Sequence, residues 1–166
     1  SNGSVAVELL YGEDTVLLVN NHFESYKLTA KDKEKYKGVL NDLESETAEN
    51  NTRELIRKMA RANKVRGPQV DSVLYYINKV GRDGVIVCGD FNDIPLSYTY
   101  NCIAKDLDDT FSKMADGFAY TYDTKYKLLR IDNILVSPSI EVVSYEVDYE
   151  ACFSDHYPVV SRIKFY

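Results

Sequence analysis

The chain has 166 residues, 45% hydrophobic and 28% charged, the ordinary range for one globular domain with enough apolar surface for a single core. No stretch approaches the roughly 20 apolar residues of a membrane-spanning helix, and the start lacks the basic-then-apolar pattern of a signal peptide, so a soluble chain is expected. A net charge of -6 gives weak overall attraction to nucleic acid or anionic membranes. The charge is uneven, because Lys31 to Arg66 carries +3 and the remainder -9, so a polyanion would meet that segment first. Cys88, Cys102 and Cys152 lie far apart and form no C-x-x-C pair, which suggests neither a zinc site nor a disulfide framework.

Ser1, Asn2 and Gly3 read as a protease-cleavage remnant, with residues 4–166 as the domain. Val5 to Tyr11 and Thr15 to His22 are partly alternating apolar runs around Gly12-Glu13-Asp14, the pattern of a β-hairpin. Thr29 and Asp32 resemble a capping box, and Tyr36, Val39, Leu40 and Leu43 then follow at helical spacing, which predicts a helix over 30–44. Leu55, Ile56, Met59 and Ala62 mark a second helix with Arg53, Arg57, Lys58 and Arg61 on its other side. Gly67-Pro68 is expected to interrupt or restart it, and Val70, Val73, Leu74 and Ile77 carry helical spacing on to Gly81.

The short apolar run Val85 to Cys88 predicts a buried strand that delivers Asp90 at its end. Ser97 is placed to cap a short helix ending near Leu107. Three further strands are predicted at 129–136, 141–147 and 159–163, with Pro138 and Ser154 to Pro158 as breaks. Hairpin, helices, strand, helix, strands is the order of a mixed α/β layered fold and not of an uninterrupted βαβ array.

Polar residues gather where predicted strands end: Asn20-Asn21-His22, Gly89-Asp90-Phe91-Asn92, Arg130-Ile131-Asp132-Asn133 and Ser154-Asp155-His156-Tyr157-Pro158. Both histidines of the chain are among them. A strand-end Asp or His taken alone is more often a turn former or a satisfied polar group. Cleaving a phosphoester requires neutralising phosphoryl charge, activating a water and assisting the leaving oxygen, and hard carboxylate oxygens suit Mg²⁺ for the first task. With two histidines and no i, i+4 pair, a metalloprotease-type zinc site has no support, and no G-x-S-x-G offers a serine nucleophile.

In order and wording, the four stretches resemble the C-terminal motifs of the endonuclease/exonuclease/phosphatase (DNase I-like) family: Asn-x-His after a strand, Gly-Asp-Phe-Asn, Arg-Ile-Asp before an apolar strand, and a terminal Ser-Asp-His. Arg66, Gln69 and Asp109-Thr110-Phe111 add weaker matches, and only Lys31 to Asn63 looks peculiar to this chain. The resemblance implies a four-layer α/β/β/α sandwich, of which this chain would supply mainly one half. It implies a Mg²⁺-dependent phosphodiesterase or phosphatase, with Mn²⁺ as an alternative ion. Asp90 would position the attacking water and face the metal, Asn92 would bond a phosphoryl oxygen, and Asp155 would lie in the metal region. His156 would contact the scissile phosphate, Asp132 would fix its tautomer, and His22 would approach from another strand.

The family's N-terminal Asn and metal-binding Glu have no counterpart here, and neither Glu8 nor Glu13 corresponds to that Glu. The alternative is therefore a non-catalytic binding module or an inactive fragment. An apolar sheet face left without its partner is expected to drive self-association or altered packing. Net acidity favours a small-molecule, sugar-phosphate or lipid-phosphate substrate over nucleic acid, and any targeting segment or anchor would lie upstream.

Overall fold

The computed structural model of the chain describes residues 2–29, 31–32, 34–35, 46–115, 117–123 and 129–165. Strands β1 (Gly3–Tyr11) and β2 (Asp14–His22) form the expected hairpin. Its turn is one residue tighter than predicted, since Tyr11 pairs with Asp14 and only Gly12 and Glu13 connect them. Gly12, at φ 63, supplies the left-handed residue that two-residue hairpin turns need. Of the helix predicted over 30–44, Lys31, Asp32, Glu34 and Lys35 are helical and the rest lies outside the described residues. Its cap forms as read: the Thr29 N–H and hydroxyl donate to the Asp32 carboxylate at 2.7 and 2.6 Å, and the Asp32 N–H donates back to Thr29 Oγ1 at 3.3 Å.

Helix α1 runs unbroken from Glu46 to Val80, straight through Gly67-Pro68. This corrects the expected interruption. A proline inside a helix costs about 3 kcal/mol, but the residues on both sides are already fixed, Arg66 to the loops after β2 and β3 and Val70 and Val73 to the sheet. Arg66 is fully buried one turn before the proline's far side, and Val70 and Val73 are buried immediately after it. Tertiary packing on both flanks overrides the local preference. Strand β3 (Gly84–Asp90) follows, then α2 (Tyr98–Ala104), which Ser97 caps by accepting the Tyr100 N–H. Two elements escaped the sequence reading, the two-residue strand β4 (Asp108–Asp109) and the single-turn helix α3 (Thr110–Met114) capped by Asp109. Strands β5 (Asp132–Val136), β6 (Glu141–Val147) and β7 (Val159–Lys164) complete the order. Strand β5 begins three residues later than predicted, because the Leu129 carbonyl and the Ile131 N–H are already bonded to the segment around Thr121.

The main sheet has the order β1-β2-β3-β5-β4, parallel only between β2 and β3, and β6-β7 form a second, two-stranded sheet. Alternation along the strands divides the core in two. Leu17, Val19, Val85, Val87 and Leu135 face Val70 and Val73 of α1 and Tyr100 and Ile103 of α2. Val16, Ile86 and Val136 face the opposite way, onto Ile140 and the β6-β7 residues Val142 and Ile163. The register pairs Val5, Val7 and Leu9 of β1 with Asn20, Leu18 and Val16, so they continue this second face, and all three are exposed.

Gly89 is where β2 and β3 approach most tightly. It sits at φ 117, and a Cβ there would lie 2.0 Å from the Asn21 carbonyl oxygen and 2.8 Å from its nitrogen. Gly89→Ala is therefore expected to cost about 3 kcal/mol or more. A urea melt would show this as a lowered midpoint, and an unchanged midpoint would refute the tight approach.

Candidate active site

Three adjacent strands end side by side. His22 closes β2 opposite Asp90, which closes β3, and Asp90 in turn pairs with Asp132, the first residue of β5. Directly paired residues point to the same face of a sheet, so His22, Asp90 and Asp132 project together from the face not covered by α1 and α2. The fourth group arrives from outside the sheet. His156 sits just before β7 on a segment bonded to residues 121–123: Tyr157 N–H donates to the Thr121 carbonyl and Asp123 N–H to the Asp155 carbonyl, both at 2.8 Å. His156 Nδ1 reaches Asp132 Oδ2 at 2.9 Å, the contact that the sequence reading expected.

Asp132 does not pair with the nearby Arg130. Arg130 turns inward and makes a two-pronged contact with Asp109, Nη2 to Oδ2 at 2.8 Å and Nη1 to Oδ1 at 3.2 Å, and also donates to Asn133 Oδ1 at 2.8 Å. Asp109 accepts the Tyr100 hydroxyl at 2.7 Å as well. This buried set fixes the entry into β5. Thr121 Oγ1 then accepts both the Ile131 and Asp132 N–H groups at 3.0 Å, which aims Asp132 at His156.

Asn92 shapes the other side. Its backbone is left-handed, φ 51, a conformation that Asn tolerates better than most residues. Its N–H donates to Asp90 Oδ1 at 2.7 Å, and its amide donates to Asp90 Oδ2 at 2.9 Å and to the Phe23 carbonyl at 3.0 Å. Arg66 locks this turn from below. Its Nη1 donates to the carbonyls of Asn92 at 2.6 Å and Glu24 at 2.9 Å, its Nη2 pairs with Asp93 at 3.2 Å, and its guanidinium stacks over the Tyr26 ring at 4.3 Å. Arg66 thus ties the loop after His22 to the loop after Asp90.

His22 Nε2 lies 3.7 Å from Asp90 Oδ2. Asp90, Asp132 and His156 each offer a ligand atom, and these atoms lie within 4.8 Å of one another. Asp155 is placed differently: it is exposed, and among the described residues it is not part of that group. Its charge still acts on His156. Beside Asp132 and His156 opens a groove of about 360 Å³ with Asn20, Cys88, Pro158 and Val159 in its walls. Arg66, Asp93, Tyr26 and Thr121 build the site although the sequence assigns them no role in it; Arg66 acts through backbone carbonyls and the others through partners distant in sequence, which nothing local marks.

Burial pushes the Asp90 carboxyl above its ordinary range, opposed by the Asn92 N–H bond and reinforced by the neighbouring Asp132 charge. His156 is raised, first by its bond to Asp132 and despite burial, with the charges of Asp132, Asp90 and Asp155 adding to the effect. Among the described residues, the half-buried carboxylates of Asp90 and Asp132 stand side by side with His22 and His156 paired to them. A hard divalent cation fits this oxygen-rich donor set.

The family model for the endonuclease/exonuclease/phosphatase family matches residues 37–156. The chain belongs to the endonuclease/exonuclease/phosphatase family. Solved structures of this family have the same DNase I-like fold. A member from Bacteroides vulgatus is 26% identical, covering 63% of this chain and 45% of its own length, at a TM-score of 0.55. A mannosyl-6-phosphatase from Bacteroides thetaiotaomicron is 21% identical over 93% of this chain and 53% of its own, at 0.53. A 3′ phosphatase from Neisseria bound to product DNA hairpin is 18% identical over 96% and 65%, at 0.63. The chain thus spans about half to two thirds of the length of these relatives. No protein of curated function matches it.

The Asp132–His156 contact is checked by titrating the two histidines by NMR. His156 is expected to titrate above the ordinary value of about 6.5, and Asp132→Asn to bring it down. Because the folded value is the raised one, the pair's contribution to stability is complete below about pH 6.5 and fades as pH rises through the folded pKa. A His156 titration unaffected by Asp132→Asn would contradict the pairing.

Proposed function

We propose that this site is part of a metal-dependent phosphoester hydrolase centre, with Mg²⁺ as the resident ion and Mn²⁺ as a substitute. The observation that carries the reading is the strand register that sets His22, Asp90 and Asp132 in a row on one face, with His156 bonded to Asp132. Asp90 and Asp132 would hold the metal, leaving His156 to meet the phosphate. Asp155, the other expected metal-region residue, lies one position before His156 and contributes charge to it. When bound, the ion would neutralise phosphoryl charge and polarise the reacting oxygen.

The chain's own groups supply the rest. Asp90, held with a raised pKa and aimed by Asn92, is suited to accept a proton from an attacking water. The Asn92 amide can turn from Asp90 to a phosphoryl oxygen. His156, whose bond to Asp132 favours the imidazolium, is suited to bring positive charge to the developing anion and a proton to the leaving oxygen. His22 stands on the opposite flank of Asp90.

Nucleic acid is not the favoured substrate. On the basic segment, Lys58 is paired with Asp32 at 2.6 Å, Arg53 with Glu49 at 2.6 Å and Lys35 with Glu54 at 2.5 Å. These cations are engaged at home, and the remainder of the chain is acidic. Hydrolysis of bis(p-nitrophenyl) phosphate by a protein carrying the complete domain tests the proposal. Asp90→Asn and His156→Ala should each lower the Mg²⁺-dependent rate at least about 100-fold. Rates within twofold of the parent would leave only a binding module.

A further inference from the structure

The backbone fixes where His156 stands but not how its ring is turned. The outer torsion of a histidine side chain is broad and roughly two-fold, and a half turn about it would exchange Nδ1 with a ring carbon. The bond from His156 Nδ1 to Asp132 Oδ2 at 2.9 Å opposes that turn. Both residues are only half-buried, however, so water competes for the same nitrogen and a single hydrogen bond leaves the ring free to rock about it.

A second restraint comes from Tyr122, which forms an antiparallel bridge with His156. The two backbone bonds of this bridge flank the pair: the Asp123 N–H donates to the Asp155 carbonyl and the Tyr157 N–H to the Thr121 carbonyl, both at 2.8 Å. That is the non-hydrogen-bonded pairing of an antiparallel ladder, in which facing side chains come closest. The Tyr122 ring accordingly meets the His156 ring, with centroids 4.9 Å apart and planes inclined at 55°. Tilted contacts at this spacing are among those that aromatic rings favour. Tyr157, the neighbour of His156, turns instead to Tyr120 and Tyr149. Among the described residues, Tyr122 is the ring that meets His156.

The same short segment holds both members of the Asp132–His156 pair. Thr121 Oγ1 accepts the Asp132 N–H at 3.0 Å, and the next residue lays its ring against the imidazole. The segment is itself tied down, because the Thr121 and Tyr122 N–H groups both donate to the Leu129 carbonyl, at 2.9 and 3.2 Å. Residues 121 and 122 thus set the carboxylate from one side and the imidazole from the other.

We propose that Tyr122 is a positioning residue: its ring confines the His156 imidazole so that Nδ1 stays on Asp132 and Nε2 is the nitrogen presented to substrate. The clause about substrate rests on the hydrolase reading; the confinement of the ring does not. A neutral imidazole in water favours the Nε2–H tautomer, whereas one that donates from Nδ1 to a carboxylate is held as Nδ1–H. The tautomer therefore reports how firmly the ring is kept in place.

Nitrogen-15 shifts of the His156 ring, recorded on the metal-free chain at a pH where the ring is neutral, read that tautomer. The parent is expected to be Nδ1–H. Tyr122→Leu keeps the backbone bridge and removes the ring, and should move the tautomer ratio toward Nε2–H by at least about threefold. Tyr122→Phe should restore the parental shifts. A circular dichroism melt shows whether Tyr122→Leu is folded. Independently of any variant, nuclear Overhauser contacts between the Tyr122 and His156 ring protons are expected in the parent. In a protein carrying the complete domain, Tyr122→Leu should lower kcat for bis(p-nitrophenyl) phosphate about tenfold with KM within about twofold, and Tyr122→Phe should recover it. Absent ring contacts, a folded Tyr122→Leu with the parental tautomer, or a Tyr122→Phe as disturbed as Tyr122→Leu would overturn the proposal. A shifted tautomer with unchanged kcat would overturn the clause about substrate alone. No hydrolysis by the parent domain would sink the hydrolase reading and leave the confinement of His156 standing.

Discussion

The site depends on the register of three strands. Parallel pairing of β2 with β3 and antiparallel pairing of β3 with β5 bring His22, Asp90 and Asp132 into one row. A slip of one residue in either ladder would turn one of these side chains into the helical layer. The backbone at Gly89 helps to hold that register, because β2 comes so close there that no side chain fits. Function and packing meet at one residue position before Asp90.

Two buried arginines convert that register into usable geometry. Arg130 satisfies Asp109 and Asn133 and so fixes the approach to Asp132. Arg66 gathers the carbonyls of Glu24 and Asn92 and so fixes the turn behind Asp90. Each is almost wholly buried beside an acidic partner, and removing one member of such a pair strands the other charge in a low-dielectric surround. Neither arginine touches the groove, yet both loops that carry site residues hang on them.

Much of this was legible in the sequence. The apolar run before Gly89-Asp90 could hardly be anything but a buried strand, and the pairing of Asp132 with His156 followed from the family motif, as did the clustering of Asp90 with both. What was not legible shares a cause: it is decided by contacts distant in sequence. The continuity of α1 through Pro68 depends on Arg66 bonding two loops before it and on Val70 and Val73 packing on the sheet after it. The late start of β5 depends on Thr121 claiming the N–H groups of Ile131 and Asp132. Asp155 extends from an exposed loop whose course only the fold defines.

The central proposal is that Asp90 and Asp132 form one cation-binding centre with His156 beside it. Paramagnetic relaxation by Mn²⁺, added well below stoichiometry to the isotope-labelled chain, tests it most directly. The account predicts that resonances of Asp90, Asp132 and His156 broaden first and together, and that Asp90→Asn removes the effect. Broadening that begins instead at the exposed acids of the loops, or at Glu13 and Asp14 at the far end of the sheet, would contradict it.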